Sequence, residues 1–377
     1  MSRSIDDRDT LRSVIAQTAR RTLLVFALLL AFAHSAGETT LASGPTGVNP
    51  ASILTVDGLS PASRVGRTFR NLDPGYKRAS YYERLHSLIV GGTWLVPESR
   101  VAPLATVAPD VRALRENASQ ATVTWIGHST LLVQLDGVTF LTDPTWAERS
   151  GPFGGLVGVR RYTPPPVSLE DLPPIDFVLI SHDHYDHLDE PTVRRLARIF
   201  NPTFVVPLGI GAWLADRGIT NAVELNWGQS IKVKGLTVVC TPAQHGSGRT
   251  LIDQGRRLWA SWAVLGSQRF YFAGDTGYYA HFKEIGDTLG PFDLAALPIG
   301  SYTPRSIARP VHISPEEALR AWTDLRAARF IGIHWGTFDL AREPYDEPLA
   351  RLASEVERRG LDPSAVWVPK PGETVPW

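Results

Sequence analysis

The sequence predicts an α/β fold of four layers, two mixed β-sheets packed face to face with helices covering their outer sides. Three observations predict it. From about residue 121 onward, short strand-like runs alternate with helix-like ones. The first part of that region is rich in hairpin signals, and the later apolar strands each end in a polar or glycine-rich turn.

Taken in order, the chain is polar up to Arg20-Arg21 and then runs apolar from Thr22 to Ala33 before Ser35-Ala36-Gly37. About 11 apolar residues are too few to span a ~30 Å hydrocarbon core comfortably, and Ala31-Phe32-Ala33 has the A-x-A form of a cleavage site. Residues 1–36 therefore read as a signal peptide, with an uncleaved anchor as the rival. The paired arginines suit the twin-arginine route, which exports folded proteins, so the expected location is the periplasm or its face of the membrane. Residues 37–60, rich in Gly, Ser, Thr and Pro, read as a linker, and 61–377 as the folded domain.

Within that domain, Thr122–Gln134 and Val138–Thr142 are β-rich runs flanking Asp136-Gly137, a two-residue hairpin signal. Asp176–Ser181 is a continuous apolar strand of the kind buried on both faces. A helix should follow from an N-cap at Asp189, with Pro191 in its first turn and Val193, Leu196 and Ile199/Phe200 at helical spacing. Leu236–Thr241, Arg269–Ala273, Phe292–Pro298 and Phe330–Ile333 are further strands. Ser314-Pro315-Glu316-Glu317 is a capping box opening a helix through Ala328.

Composition narrows the function. With 38 basic and 38 acidic residues and no long basic run, the chain is not built to neutralise many phosphates, so nucleic acid is not expected as a partner. The lone Cys240 excludes an internal disulfide and a multi-thiolate metal site, so any metal must rest on histidine and carboxylate among the 10 histidines present.

The decisive segment is Ser181-His182-Asp183-His184-Tyr185-Asp186-His187, an H-x-H-x-D-H cluster directly after the buried strand. Imidazole and carboxylate are suitable ligands for Zn(II), and the end of a strand entering a loop lets them converge. Three further candidates stand at other strand ends: His245 after Leu236–Thr241, Asp275 in Ala273-Gly274-Asp275-Thr276-Gly277, and His334 after Phe330–Ile333. Seven ligands exceed what one tetrahedral ion takes.

These motifs resemble the metallo-β-lactamase superfamily, and more closely its N-acylphosphatidylethanolamine-hydrolysing phospholipase D family. The matching stretches include VTWIGHSTLLVQLDG (123–137), FLTDP (140–144), LPPIDFVLISHDHYDHLD (172–189), FAGDTGY (272–278), GPFDLAALPIGSY (290–302) and IHWGTFDLA (333–341), within roughly 120–345. The chain departs from the family at Asp183, where Asn is common, and at Ser247-Gly248, where bulkier residues occur. The resemblance implies a metallo-β-lactamase-like four-layer αββα sandwich. It implies one zinc on His182, His184 and His245, a second on Asp186, His187 and His334, and Asp275 bridging them. Asp186 and Asp275 would then be catalytic as well as ligating. Two zincs lower the pKa of a shared solvent oxygen from ~15.7 towards ~7, which supplies a hydroxide nucleophile for a phosphodiester.

The activity so implied is hydrolysis of N-acylphosphatidylethanolamine-like phospholipid to phosphatidic acid and an N-acylethanolamine, at a membrane surface. A soluble phosphodiesterase or lactonase is the alternative among enzymes, since fold does not fix substrate. A non-catalytic zinc-binding envelope protein is the alternative outside them, but a structural zinc usually has four closed protein ligands. His312, just ahead of the capped helix, is a candidate to protonate the leaving alkoxide. His128 at a strand turn is either a partner of a ligand or a structural histidine, and Asp143 is expected to orient a ligand or a loop. His86 and His281 default to the surface. Trp146–Tyr162, with Phe153, Leu156, Val157 and Arg160-Arg161, is either a lipid-facing lip with cations for phosphate or an ordinary Gly-rich loop.

Overall fold

A computed structural model of the chain describes residues 52–77, 103–250, 252–341 and 343–377. The apolar segment 22–33, the linker up to residue 51, and His86 lie outside the described residues. No helix among them is long and apolar enough to cross a membrane. The strands, in chain order, are β1 (Leu54–Thr55), β2 (Arg64–Val65), β3 (Thr68–Phe69), β4 (Thr122–Gly127), β5 (Thr130–Leu135), β6 (Val138–Thr142), β7 (Arg149–Ser150), β8 (Val159–Arg160), β9 (Phe177–Leu179), β10 (Thr203–Pro207), β11 (Ala222–Leu225), β12 (Gln229–Val233), β13 (Leu236–Thr241), β14 (Ser261–Leu265), β15 (Arg269–Phe272), β16 (Leu294–Pro298), β17 (Arg329–Ile333), β18 (Val366–Trp367) and β19 (Thr374–Pro376).

With β2–β3 and β7–β8 as separate two-stranded hairpins, the other fifteen form the two mixed sheets expected. One has seven strands in the order β11-β10-β9-β6-β5-β4-β19, and the other has eight in the order β1-β12-β13-β14-β15-β16-β17-β18. The alternation of side chains along a strand separates two cores. Leu132, Val178, Ile180, Phe204 and Val206 face the helices Glu190–Ile199 and Ile210–Ala215, whose Val193, Leu196, Ile210 and Leu214 join the same cluster. Their neighbours Leu131, Val133, Phe177, Leu179 and Val205 turn the other way, onto Val238, Trp262, Val264 and Phe270 of the second sheet. Phe140 bridges the sheets, stacking on Phe177 at 4.5 Å and meeting Phe270 edge-on at 5.9 Å. Trp262 Nε1 also donates across the gap to the Ile180 carbonyl at 2.9 Å. The helices His281–Leu289 and Pro315–Asp324 bury Phe282, Ile285, Leu319 and Trp322 against the outer face of the second sheet.

Several local expectations differ in detail. The run 122–134 is two strands, because Gly127 at φ 132° and His128 at φ 53° turn the chain between β4 and β5. The capping box at Ser314 forms, with both reciprocal hydrogen bonds present, but the helix stops at Asp324, where Arg326 enters the left-handed region at φ 53°. Asp189 sits at the start of the Glu190–Ile199 helix without making a side-chain cap; its carboxylate accepts from the Thr192 hydroxyl and from Ala147 N at 3.2 Å. Residues 54–55, read from sequence as linker, pair antiparallel with β12, and Leu59 is buried in the core.

Candidate metal centre

Four strand ends and one strand turn meet at one edge of the sandwich. The loop after β9 carries His182, His184, Asp186 and His187; His245 follows β13, Asp275 follows β15, His334 follows β17, and His128 occupies the β4–β5 turn. The Asp275 loop crosses under the β9 loop so closely that a Cβ on Gly274 would lie 2.4 Å from Ser181 Cβ, which is why glycine is needed at that φ of +57°. His128 and His334 are both non-glycine residues at positive φ, 53° and 60°, and His334 N donates to the His128 carbonyl at 3.0 Å. Such strained backbone persists only where its surroundings hold it.

The seven residues expected from sequence converge. His184 Nδ1 lies 2.8 Å from His182 Nε2 and 3.2 Å from His245 Nε2, so three ring nitrogens face one point. Asp186 Oδ2 lies 3.3 Å from His187 Nε2 and 3.5 Å from His334 Nε2, a second point. Asp275 stands between. Its Oδ2 is 3.3 Å from His187 Nε2, 3.8 Å from His245 Nε2 and 4.0 Å from His182 Nε2, while its Oδ1 is 3.0 Å from His334 Nε2.

Hydrogen bonds on the far sides of the rings fix which nitrogen carries the proton. The Ser181 hydroxyl donates to Asp143 Oδ2 at 2.5 Å, so at 2.9 Å it accepts from His182 Nδ1, leaving His182 Nε2 with a free lone pair. His187 Nδ1 donates to the same carboxylate at 2.6 Å, and His245 Nδ1 to the Val311 carbonyl at 2.9 Å. Asp143 thus orients two of the rings. His128 is a partner of Asp186, its Nε2 lying 3.0 Å from Oδ2.

Charge separates the two points. Burial, reinforced by neighbouring histidines, holds His182 and His245 well below the ordinary imidazole range, and His184 is lowered by burial. All three are neutral. At the second point burial is overcome by carboxylates: Asp275 and Asp186 raise His334 to about 9, and with Asp143 they raise His187 well above its usual value. Conversely, these histidines hold Asp186 and Asp275 well below the carboxylate range against their burial.

The residues present fit metal ions. His187 Nε2, His334 Nε2 and Asp275 Oδ1 are buried with no aligned hydrogen bond and face only the charged groups of their own cluster, a costly arrangement unless something binds between them. The sets His182-His184-His245 and His128-Asp186-His187-His334 each place their donor atoms within 4.8 Å of one another. His312 lies at the mouth, its side chain 19% exposed and its Nδ1 3.7 Å from Asp275 Oδ2. Burial first, and then His334, lower it to about 4 despite Asp275.

Other expectations are corrected. His281 is buried, lowered to about 3 by burial, with Thr276 Oγ1 at 3.4 Å. Arg161 is also buried; its guanidinium donates to the Thr145 and Ala147 carbonyls at 2.8 and 3.0 Å and is spent on structure, not on phosphate. Phe153 and Leu156 are exposed at 58% and 78% on the turn between β7 and β8, next to an exposed Arg160. Asn71 was missed: its side chain brackets His245, donating to the carbonyl at 2.8 Å and accepting from the amide at 3.1 Å.

This edge-of-sheet His/Asp centre on an αββα sandwich defines a class, and comparison with known proteins agrees. The family model described as "Beta-lactamase superfamily domain" matches residues 139–335. A Caenorhabditis elegans protein named N-acyl-phosphatidylethanolamine-hydrolyzing phospholipase D 1 is 49% identical over 250 residues, covering 63% of this chain and 70% of that one. A Mycobacterium tuberculosis protein described as uncharacterized is 45% identical over 337 residues, 87% of this chain and 88% of the other. Among solved structures, Igni18, a metallo hydrolase from Ignicoccus hospitalis, is 28% identical and superimposes with a TM-score of 0.53 over 69% of this chain and 99% of its own. The chain belongs to the metallo-β-lactamase superfamily, within the family of N-acylphosphatidylethanolamine-hydrolysing phospholipases D, and is a metal-dependent hydrolase.

Proposed function

We propose that the protein is a dizinc phosphodiesterase of phospholipase D type, which hydrolyses N-acylphosphatidylethanolamine-like lipids to phosphatidic acid and N-acylethanolamine. The observation that carries this reading is the pair of converging donor sets on either side of Asp275, with His187 Nε2, His334 Nε2 and Asp275 Oδ1 buried and lacking an aligned hydrogen bond. His182, His184 and His245 would hold one ion, Asp186, His187 and His334 the other, with Asp275 shared. Two bound zinc ions would neutralise phosphodiester charge and activate the attacking water.

The chain's own residues do the rest. Asp143 and Ser181 keep Nε2 of His187 and of His182 turned inward. His128 holds Asp186, whose carboxylate stays ionised. His312 at the mouth reaches the leaving oxygen; a phosphodiester brought beside it favours its protonated form, so the ring gains its proton when substrate binds and passes it to the departing alkoxide. The relative named for this lipid activity supports the substrate class. The exposed Phe153 and Leu156 support docking at a membrane surface. Zinc-replete purified protein is expected to contain about two zinc per chain and to turn over N-acylphosphatidylethanolamine in vesicles. One ion or none would remove the two-metal reading, and lactone opening without lipid turnover would replace the substrate.

We also propose export to the periplasm, on the strength of Arg20-Arg21, the short apolar run and Ala31-Phe32-Ala33. Terminal sequencing is expected to find a mature start beyond residue 33. A soluble cytoplasmic protein beginning at Met1 or Ser2 would refute this, and a membrane-bound one retaining 22–33 would make the segment an anchor.

A further inference from the structure

The three-histidine position draws on both sheets: His182 and His184 come from the loop after β9, and His245 from the loop after β13. What fixes one loop against the other is a buried hydrogen-bonding and charged network beside the ligands. Asp183, with a side chain fully buried, accepts from Gly248 N through Oδ1 at 2.7 Å and from Arg257 Nη1 through Oδ2 at 2.7 Å. Gly248 adopts φ +138°, and a Cβ there would lie 2.3 Å from Gln254 Nε2 and 3.0 Å from Gln254 Cα, so only glycine brings this amide within reach of the carboxylate. Its neighbour Ser247 donates its hydroxyl to the Arg257 carbonyl.

Arg249 spans the β9 loop from the same side. One guanidinium nitrogen, Nη1, donates to the Asp183 carbonyl and to the Leu188 carbonyl, both at 2.8 Å, and so binds the two ends of the ligand-bearing turn. Arg249 Cζ lies 4.0 Å from the centre of the Tyr185 ring, and Tyr185 returns a hydrogen bond from its hydroxyl to the Arg249 carbonyl at 2.8 Å. Asp253 completes the network, accepting from Arg249 N at 3.0 Å and from Arg257 Nη1 at 2.9 Å. A buried carboxylate is tolerated when it is paired and hydrogen-bonded, and here both conditions are met from the opposite loop.

We infer that Asp183, Arg249 and Arg257 are positioning residues, a charged clamp between the two ligand loops that sets the metal affinity of the His182-His184-His245 position without touching the metal. The inference rests on the two-metal reading above. Asp183→Asn keeps the shape and an acceptor for the Gly248 amide but removes the carboxylate charge beside Arg257, so it is the sharpest probe.

The experiment uses the full chain, zinc-loaded, as wild type, Asp183→Asn, Arg249→Met and, as a marker of this position, His245→Ala. Each is equilibrated against a graded series of chelator, retained zinc is counted, and the melting temperature of the fully stripped protein is measured alongside. In Asp183→Asn, one equivalent is expected to leave at about 10-fold lower chelator strength, and in Arg249→Met at up to about 100-fold lower, as partners of metal ligands typically do. The equivalent lost is the one missing from His245→Ala, and the other equivalent stays put. Retention curves that match wild type in both variants would overturn the clamp. So would equal weakening of both equivalents in step with a fall in the stripped protein's melting temperature, since that is general destabilisation. If Arg249→Met does not fold, Asp183→Asn decides alone. A wild type retaining only one equivalent defeats the two-metal reading separately, and the clamp then stands or falls on whether Asp183→Asn moves that equivalent.

Discussion

His334 and His187 carry protons where their neighbours His182, His184 and His245 do not, although all five lie within a few ångströms of one another and only His184 is less than fully buried. The difference is the placement of carboxylates. Asp186 and Asp275 compensate burial at the second point, whereas at the three-histidine point Asp275 Oδ2 stands 3.8 and 4.0 Å from His245 and His182, and the carboxylates near His184 do not outweigh burial. A metal entering the first point meets free lone pairs, while one entering the second must expel protons, so uptake there should release them. The linkage has a definite sign. His334 is raised from 6.5 to about 9, so its ion pairs stabilise the metal-free fold fully below pH 6.5 and are lost as pH rises through 9. The amount is on the order of 3 kcal/mol if His334 acts alone. The melting temperature of chelator-stripped protein is therefore expected to fall by several degrees between pH 6.5 and 9. A stripped protein whose melting temperature stays flat over that interval would contradict the assigned charges.

At the scale of elements, strand ends were the legible part. Phe177–Leu179, Leu236–Thr241, Arg269–Phe272 and Arg329–Ile333 are apolar runs that stop at a polar residue, and each of those stops delivers a His or Asp to the same edge. That pattern is visible in one dimension because a buried strand excludes polar residues until it leaves the sheet. What was not legible depends on contacts far apart in sequence. Asn71 brackets His245 from 174 residues away, with no local signal announcing it. His128 could be read as a turn residue but not as the partner of Asp186, 58 positions on. His281 defaulted to the surface because no motif surrounds it in sequence; the structure turns it inward beside Phe282, at a centroid distance of 4.2 Å. Arg160-Arg161 reads as a basic pair, yet successive residues of a strand end face opposite ways, and only Arg160 faces solvent.

Across the whole molecule, the centre lies at the end of the sandwich from which the β7–β8 hairpin also projects. Arg161 at the hairpin base pairs with Phe338, and Phe338 packs edge-on against His128 at 5.2 Å. The hairpin tip carries the exposed Phe153 and Leu156. The candidate metal centre and an apolar tip therefore belong to one continuous piece of structure, which is the arrangement the proposed lipid substrate would need. On the function proposed above, a diester would keep its acyl chains in the membrane or against apolar protein while its phosphate reaches the histidines, so binding free energy would come from the chains as well as from the headgroup. Each methylene withdrawn from water contributes up to ~0.8 kcal/mol, and the part realised in the transition state appears in kcat/KM. Removing two methylenes from a chain that is engaged should then lower kcat/KM by roughly tenfold. A series of N-acylphosphatidylethanolamines with progressively shorter chains, presented in detergent and compared with bis(p-nitrophenyl) phosphate, is expected to fall steeply towards the soluble diester. Values that do not change with chain length, or a soluble diester cleaved as well as the longest lipid, would show that the protein's substrate is a small ester and that the apolar tip serves some other contact.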